Sequence, residues 1–399
     1  MAGPKPLLAG PTAIRQNVHG PLHGRPNAPG SPSPGARRTE AARPAAEPVS
    51  DVLVVGTGLL GTSLGLALAG QVDVTLHDAA TGHLAAAAAM GAGRRWDGIE
   101  PARLVIVAVP PSQISSELIR LQRLAIASTY SHVGSLQTHV QHEVETYLGQ
   151  QAAMLGCHPL AGKEMSGPTA AESSLFVGRR WAVCPWPASS DQSINAVLDL
   201  ARACGAEPVL VEPAEHDAAV ALSSHLPHLT SALLAGLLPG SPTQALVLAG
   251  PGLVDMTRLA AGDPELWREI LTLNASQVSD LARLLGQRLL RVGDLLDADD
   301  GTGLVELLEL GRQGRAQLPI KRGLQDAGFR PVTVVLQDAP GQLAALLAAA
   351  AAEGVNVEDV RVEHAVDGQS GRVGLWVAGR DHDRLRVALV IAGWTAIGM

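Results

Sequence analysis

The first 48 residues show no hydrophobic period of either 2 or 3.6, and Pro, Gly, Ala and Arg dominate them. So few large apolar side chains cannot offset the entropy of ordering, so residues 1–48 are expected to form a disordered tail. The pattern then changes abruptly. DVLVVG is a short β-branched run closed by glycine, and LLGTSLGLALAG beyond it reads as a helix. VDVTLHD is a second strand, AATGHLAAAAAMGA a second helix and RLVIVAVP a further buried strand. Strands alternating with helices predict a parallel sheet covered on both faces, assigned to residues 49–188. Across 189–328 strands largely disappear. EHDAAVALSSHLPHLTSALLAGLL and PELWREILTLNASQVSDLARLLGQRLLRVGDLL place apolar residues at helical spacing. These helices are too apolar for a lone surface layer, so a homodimer buried through them is expected. Over 329–399 the runs PVTVVLQ, PGQLAALLAAAAAEG, VNVEDVRVEH, GRVGLWVAG, DHDRLRVALVIAG and WTAIG give strand, helix, strand, strand, helix, strand. That is the ferredoxin-like order. The expected class is α/β, with an N-terminal Rossmann-type parallel sheet, an all-helical dimerisation domain and a C-terminal ferredoxin-like α+β domain.

Composition narrows the function. With 46% hydrophobic but only 3% aromatic residues, Leu, Val and Ala must fill the core. A net charge of -8 argues against a nucleic-acid partner, which calls for a basic patch or stripe. Cys157, Cys184 and Cys204 form no close pair, so neither a disulfide framework nor a zinc site is expected, and a reducing cytoplasm fits. No uncharged, unbroken apolar run is long enough for a membrane span, and the N-terminus lacks the apolar core of a secretory signal.

VLVVGTGLLGTSL sets Gly56, Gly58 and Gly61 in G-x-G-x-x-G spacing between a predicted strand and a predicted helix. Gly56 permits the tight turn, Gly58 lets backbone approach a pyrophosphate, and Gly61 allows close helix–strand packing. The helix N-terminus then offers free N–H groups to the anion. Asp78 ends the second strand about 20 positions on, where a carboxylate accepts from ribose hydroxyls and repels a 2′-phosphate. DAATGHL brings no Arg or Lys, so NAD is expected rather than NADP.

Three further stretches are poorly explained by packing. LGCHPLAGKEMSGP is a rigid loop with His158, Lys163, Glu164 and Ser166. HDAAVALSSHLPH holds His216, His225 and His228, and AGPGLVDMTRLAAGDPELW holds Asp255, Arg258 and Trp267. His225 and His228 stand at i, i+3 without a third well-spaced ligand, so no metal is expected.

Together with VAVPP and HVGSLQ, these stretches resemble the prephenate dehydrogenase family over about 51–325. The last stretch, with LQDAPGQLAAL and EGVNVEDVRVE, resembles an ACT domain. The resemblance implies oxidative decarboxylation of prephenate to 4-hydroxyphenylpyruvate, with hydride transfer to NAD, on the route to tyrosine. It implies that Leu59, Leu60, Val109 and Pro110 join the three glycines and Asp78 around the cofactor. His158 is the expected base and Ser135 its catalytic neighbour; an ordinary imidazole pKa near ~6.5 would suit that base. Arg258 grips a substrate carboxylate, a task suited to a planar guanidinium. His225, His228, Glu164 and Asp255 line the pocket, with His216 in support. Asp338, Gly341 and Asn356 match an amino-acid effector site, so tyrosine feedback is expected. Rival readings are an arogenate or dual-specificity cyclohexadienyl dehydrogenase, a non-catalytic NAD-binding amino-acid sensor and a general β-hydroxyacid dehydrogenase. The last relies on a lysine in the helical domain, where this chain has only Lys321, near its end. The chain departs from the family at His132 and Gln137, commonly Asp and Lys, and at Val254, often basic. Lys163 is the expected substitute for that last cation.

Overall fold

The computed structural model describes residues 50–151, 153–163, 165–318, 328–364 and 370–397. The expected tail, Glu164 and Lys321 lie outside the described residues. The chain enters through β1 (Asp51–Val55), α1 (Leu59–Leu68), β2 (Asp73–His77), α2 (Thr81–Ala89) and β3 (Arg94–Arg95). It continues through β4 (Ala102–Val107), α3 (Ile114–Arg123) and β5 (Ala127–His132). These five strands pair in parallel in the order β3-β2-β1-β4-β5, with Val54 opposite both Leu76 and Ile106. Near-continuous apolar runs in β1 and β4 follow from burial on both faces. Val52, Val54 and Ile106 pack with Leu64 and Leu68 of α1 on one side. Leu53, Val105 and Val107 pack with Ile114, Leu118 and Leu121 of α3 on the other. The strand order reverses between β1 and β4, and the crevice beyond their carboxyl ends is where such sheets bind ligands.

Next come α4 (Thr138–Leu148), β6 (Leu155–Pro159), β7 (Arg180–Pro185), α5 (Asp191–Ala203) and β8 (Glu207–Leu210). A second sheet, β6-β7-β8, has β6 antiparallel and β8 parallel to β7, and a Tyr130–Met154 bridge leads to it from β5. The α/β part therefore extends to Leu210, beyond position 188. Strand β8 is mostly exposed and shows no alternation, so pairing with β7 alone makes it a strand.

The helical part holds α6 (Pro213–Val220), a π-helical turn (Ala221–His225), α7 (Leu226–Ala235), α8 (Thr243–Val247) and α9 (Pro251–Thr257). A 3-10 turn (Arg258–Ala261) leads to α10 (Pro264–Leu273), α11 (Ala275–Asp297) and α12 (Gly301–Ala316). Much of its apolar surface is uncovered, including Leu237, Leu248, Leu289, Leu290, Val305 and Leu308.

The C-terminal part runs β9 (Phe329–Gln337), α13 (Gln342–Ala352), β10 (Val357–His364), β11 (Ser370–Ala378), α14 (Gly379–Ile391) and β12 (Thr395–Ile397). Its antiparallel sheet has the order β10-β11-β9-β12. Val332, Val334, Leu336, Val373, Leu375 and Val377 alternate onto one face, covered by Leu346 of α13 and Leu385 and Leu389 of α14. No helix among the described residues is long and apolar enough to cross a membrane.

Candidate active site

The glycine loop bridges β1 and α1, and the three glycines serve different ends. Gly56 has φ +100°, and a Cβ there would lie 2.5 Å from Ala108 O, so the turn presses on the end of β4. A Cβ on Gly61 would lie 1.8 Å from Gly56 O. Gly58 meets nothing within 4 Å; its space opens outward, as backbone approach to a phosphate requires. Asp78 Oδ2 accepts from Thr57 N at 2.6 Å and Thr57 Oγ1 at 2.8 Å, and Oδ1 accepts from Ala80 N at 2.7 Å. Burial raises the Asp78 pKa, but these hydrogen bonds outweigh it and leave the group below its ordinary value. A half-buried carboxylate anchored this way keeps lone pairs for further donors. Leu59, Leu60 and Val109 are half-buried and Pro110 is exposed. Open space at Gly58 beside an anchored acid fits a dinucleotide.

On the other side of the site a line of polar groups runs from β6 into α6. His158 Nδ1 lies 3.0 Å from His216 Nε2, and His216 Nδ1 lies 2.9 Å from Asp217 Oδ1. The Asp217 carboxylate also accepts from the backbone N–H groups of Gln137 and Thr138, each at 2.9 Å. Burial raises its pKa, but hydrogen bonds from His216, Gln137 and Thr138 prevail and keep it low. A carboxylate facing three donors is ionised, which fixes the proton of a neutral His216 on Nδ1. His216 Nε2 then accepts, His158 Nδ1 donates, and the free lone pair of His158 falls on Nε2. Asn274 supports the line from behind. Its Nδ2 donates to Asp217 O at 2.9 Å and reaches His225 Nδ1 at 3.2 Å.

Burial depresses these imidazoles. The His158 pKa is pushed down to about 3, chiefly by desolvation, with His216, His225 and His132 adding to it and Asp217 opposing. His132 is also held at about 3 and His225 at about 4, in each case mainly by burial. His228 is lowered by burial as well. The ordinary value expected for His158 is therefore corrected: the structure keeps it neutral far into acid.

Ser135 lies half-buried in the loop between β5 and α4. His132 and Gln137 brace that loop. His132 Nδ1 accepts from Gly134 N at 3.2 Å, and Gln137 Nε2 donates to Gly134 O at 2.7 Å and Cys157 O at 3.3 Å. A neutral pair thus ties the Ser135 loop to the strand of His158. Trp267 does more than fill space. It stacks on His228 with ring centroids 3.5 Å apart and meets His225 edge-on at 6.2 Å.

Arg258 opens the 3-10 turn after α9, and Ala260 N donates to Ser231 Oγ at 3.1 Å, pinning that turn to α7. Arg258 and Asp255 are both exposed. Lys163 does not stand ready as a replacement cation: it pairs with Glu172 at 2.8 Å and donates to Ala170 O at 3.0 Å. Asp217 and Asn274 escaped sequence reasoning. The His216-Asp217 dipeptide offered a weak signal, since a carboxylate beside a histidine often orients it; Asn274 offered none.

The expected effector residues do not converge within one chain. Asp338 and Gly341 share the β9–α13 turn, where Gly341 takes φ +86°. Asn356 precedes β10, whose first residue Val357 is opposite Val377, itself opposite Arg330 at the start of β9. Asn356 therefore lies at the other end of the sheet, separated by the nine-residue β9, about 27 Å at the usual rise.

A doubly wound sheet with a glycine loop and terminal acid, joined to helices that present histidines, defines the class of dinucleotide-dependent dehydrogenases. Residues 64–210 match the model of the prephenate dehydrogenase nucleotide-binding domain, and residues 212–310 that of the prephenate dehydrogenase dimerization domain. The chain is 32% identical over 356 residues to a probable prephenate dehydrogenase of Streptomyces niveus, covering 86% of this chain and 98% of that protein. It is 26% identical over 328 residues to a prephenate dehydrogenase of Bacillus subtilis, covering 78% and 87% respectively. Among solved structures, the prephenate dehydrogenase of A. aeolicus in complex with hydroxyphenyl propionate and NAD+ matches with a TM-score of 0.61 at 24% identity. That match covers 68% of this chain and 98% of that one. The chain belongs to the prephenate dehydrogenase family.

Proposed function

We propose that this protein catalyses the NAD-dependent oxidative decarboxylation of prephenate to 4-hydroxyphenylpyruvate in tyrosine biosynthesis. The observation that carries the reading is the line His158, His216, Asp217, which leaves a lone pair on His158 Nε2. Gly56, Gly58, Leu59, Leu60, Gly61, Asp78, Val109 and Pro110 would hold NAD, which when bound accepts the hydride from the hydroxyl-bearing ring carbon. His158 takes the hydroxyl proton as the carbonyl forms. Positive charge developing on its ring is met through His216 by the Asp217 carboxylate. The carboxylates of a bound substrate also raise the depressed pKa of His158, bringing the base closer to working pH. Ser135 stands beside the reacting hydroxyl and Arg258 grips a substrate carboxylate. His225, His228 and Asp255 complete the pocket. Loss of carbon dioxide from the opposite ring carbon then aromatises the ring.

NADH formation by the full chain with prephenate or arogenate, and with NAD or NADP, tests this. Reduction of NAD with prephenate, lost in His158→Ala, is the expected result. Activity with arogenate alone would move the substrate assignment; a relative 26% identical over 280 residues is the cyclohexadienyl dehydrogenase of Zymomonas mobilis. NADH binding without turnover of either substrate would leave the sensor reading in its place.

The apolar faces left open on α7 to α12 support a homodimer through the helical half, which sedimentation of the full chain would reveal. The β-α-β-β-α-β order supports a ferredoxin-like ACT domain at the C-terminus that binds tyrosine. Since Asn356 lies across the sheet from the Asp338–Gly341 turn, one effector touching all three would sit between two copies. An unchanged rate at millimolar tyrosine would refute the feedback.

A further inference from the structure

The turn after β4 borders the cofactor cleft and lacks a cap of its own. From Val109 and Pro110 the chain enters a short 3-10 turn, Pro111–Gln113, and then α3, and neither has a side-chain cap. Two successive prolines remove two backbone donors, so Ser112 carries the first N–H of the turn. Its acceptor comes from the helical half. Glu269 on α10 accepts from Ser112 N at 3.1 Å, across 157 positions of sequence. Glu269 is half-buried, and a carboxylate there also meets the positive end of the peptide dipoles.

The same helix reaches the histidines. Trp267 stacks on His228, and Asn274 at its C-terminal cap holds His225 and the Asp217 carbonyl. One ten-residue helix thus touches the cofactor turn through Glu269 and the substrate side through Trp267 and Asn274.

We infer that Glu269 is a positioning residue that clasps the cofactor turn to the helical half, setting Val109 and Pro110 at a fixed distance from the His158 line. The inference rests on the dehydrogenase reading above. Without the clasp the cleft between the two halves loosens, and the dinucleotide must supply the closing energy itself.

NADH titrated calorimetrically into the full chain tests it, with the parent, Glu269→Ala and Glu269→Gln compared. Glu269→Ala should weaken NADH binding about tenfold, the scale of one hydrogen bond to a charged group. The KM for NAD should rise by a similar factor, while that for prephenate stays within about twofold. Glu269→Gln keeps an acceptor oxygen at the same reach and should restore affinity to within about threefold of the parent. Both variants should melt with the parent. Unchanged NADH affinity in Glu269→Ala, or a loss that follows a lowered melting temperature and is not rescued by Gln, would overturn the clasp. A parent protein that binds NADH but turns over neither substrate would overturn the dehydrogenase reading, and the titration would still decide the clasp.

Discussion

The cofactor loop is closed within one strand–turn–helix–strand unit, whereas the histidine line draws on segments far apart in the chain. Gly56, Gly58, Gly61 and Asp78 meet because β1, α1 and β2 follow one another, with Thr57 and Asp78 only 21 positions apart. His158 and His216 are 58 positions apart, Gln137 and Asp217 80, and Asp217 and Asn274 57. The first region depends on backbone shape, so its spacing is a sequence motif. The second depends on which side chain donates to which, and that is settled by packing between β6, α6 and the start of α11. The two regions should therefore fail in different ways.

The largest effect should come from His158→Ala, which removes the base. Its kcat should fall about 100- to 10,000-fold with NADH affinity unchanged in a binding titration. Asp217→Asn puts an amide among three donors and removes the reason for the His216 tautomer. Steady-state kinetics should show kcat down about a hundredfold, well beyond any change in the KM for NAD. The glycines then separate fold from binding. Gly61→Ala, whose Cβ would lie 1.8 Å from Gly56 O, should lower the melting temperature, by about 5 °C or more. Gly58→Ala has open space around it and should melt like the parent while binding NADH about tenfold more weakly. Equal melting of the two variants would break the distinction drawn here. Asp78→Asn should raise the KM for NAD several-fold and narrow the preference over NADP.

The broadest effect is that of pH. His132, His158 and His225 titrate at about 3, about 3 and about 4 in the folded chain, against about 6.5 when unfolded. Between those values the unfolded chain binds protons that the folded one refuses. Their contribution to stability is thus fully present above about pH 7 and is lost as pH falls from about 6.5 toward 3. Thermal melting at about pH 7.5 and about pH 5 should differ accordingly, and identical curves would count against buried neutral histidines.

Much of the fold was legible. The run VLVV of β1 and the alternation in β9 carried their identity because burial on two faces or on one writes itself into the residue pattern. Strand β8, in GAEPVL, went unread because it has no pattern of its own and becomes a strand only by pairing with β7. Lys163 looked available for substrate until the fold brought Glu172 to it.

By itself the sequence determined the glycine turn, the terminal acid and the helical period, all of which depend on neighbours along the chain; the rigid loop expected at His158 is instead strand β6, made by pairing with β7. Only the tertiary structure decided that Asp217 sets the tautomer of His216, that Asn274 holds two elements at once and that Glu269 reaches the cofactor turn. It also decided how far His158 is depressed and that Asn356 lies across the sheet from Gly341. Hydrogen-bond partners, desolvation and strand register are properties of distances through space, and residues 50 to 160 positions apart leave no local trace of meeting.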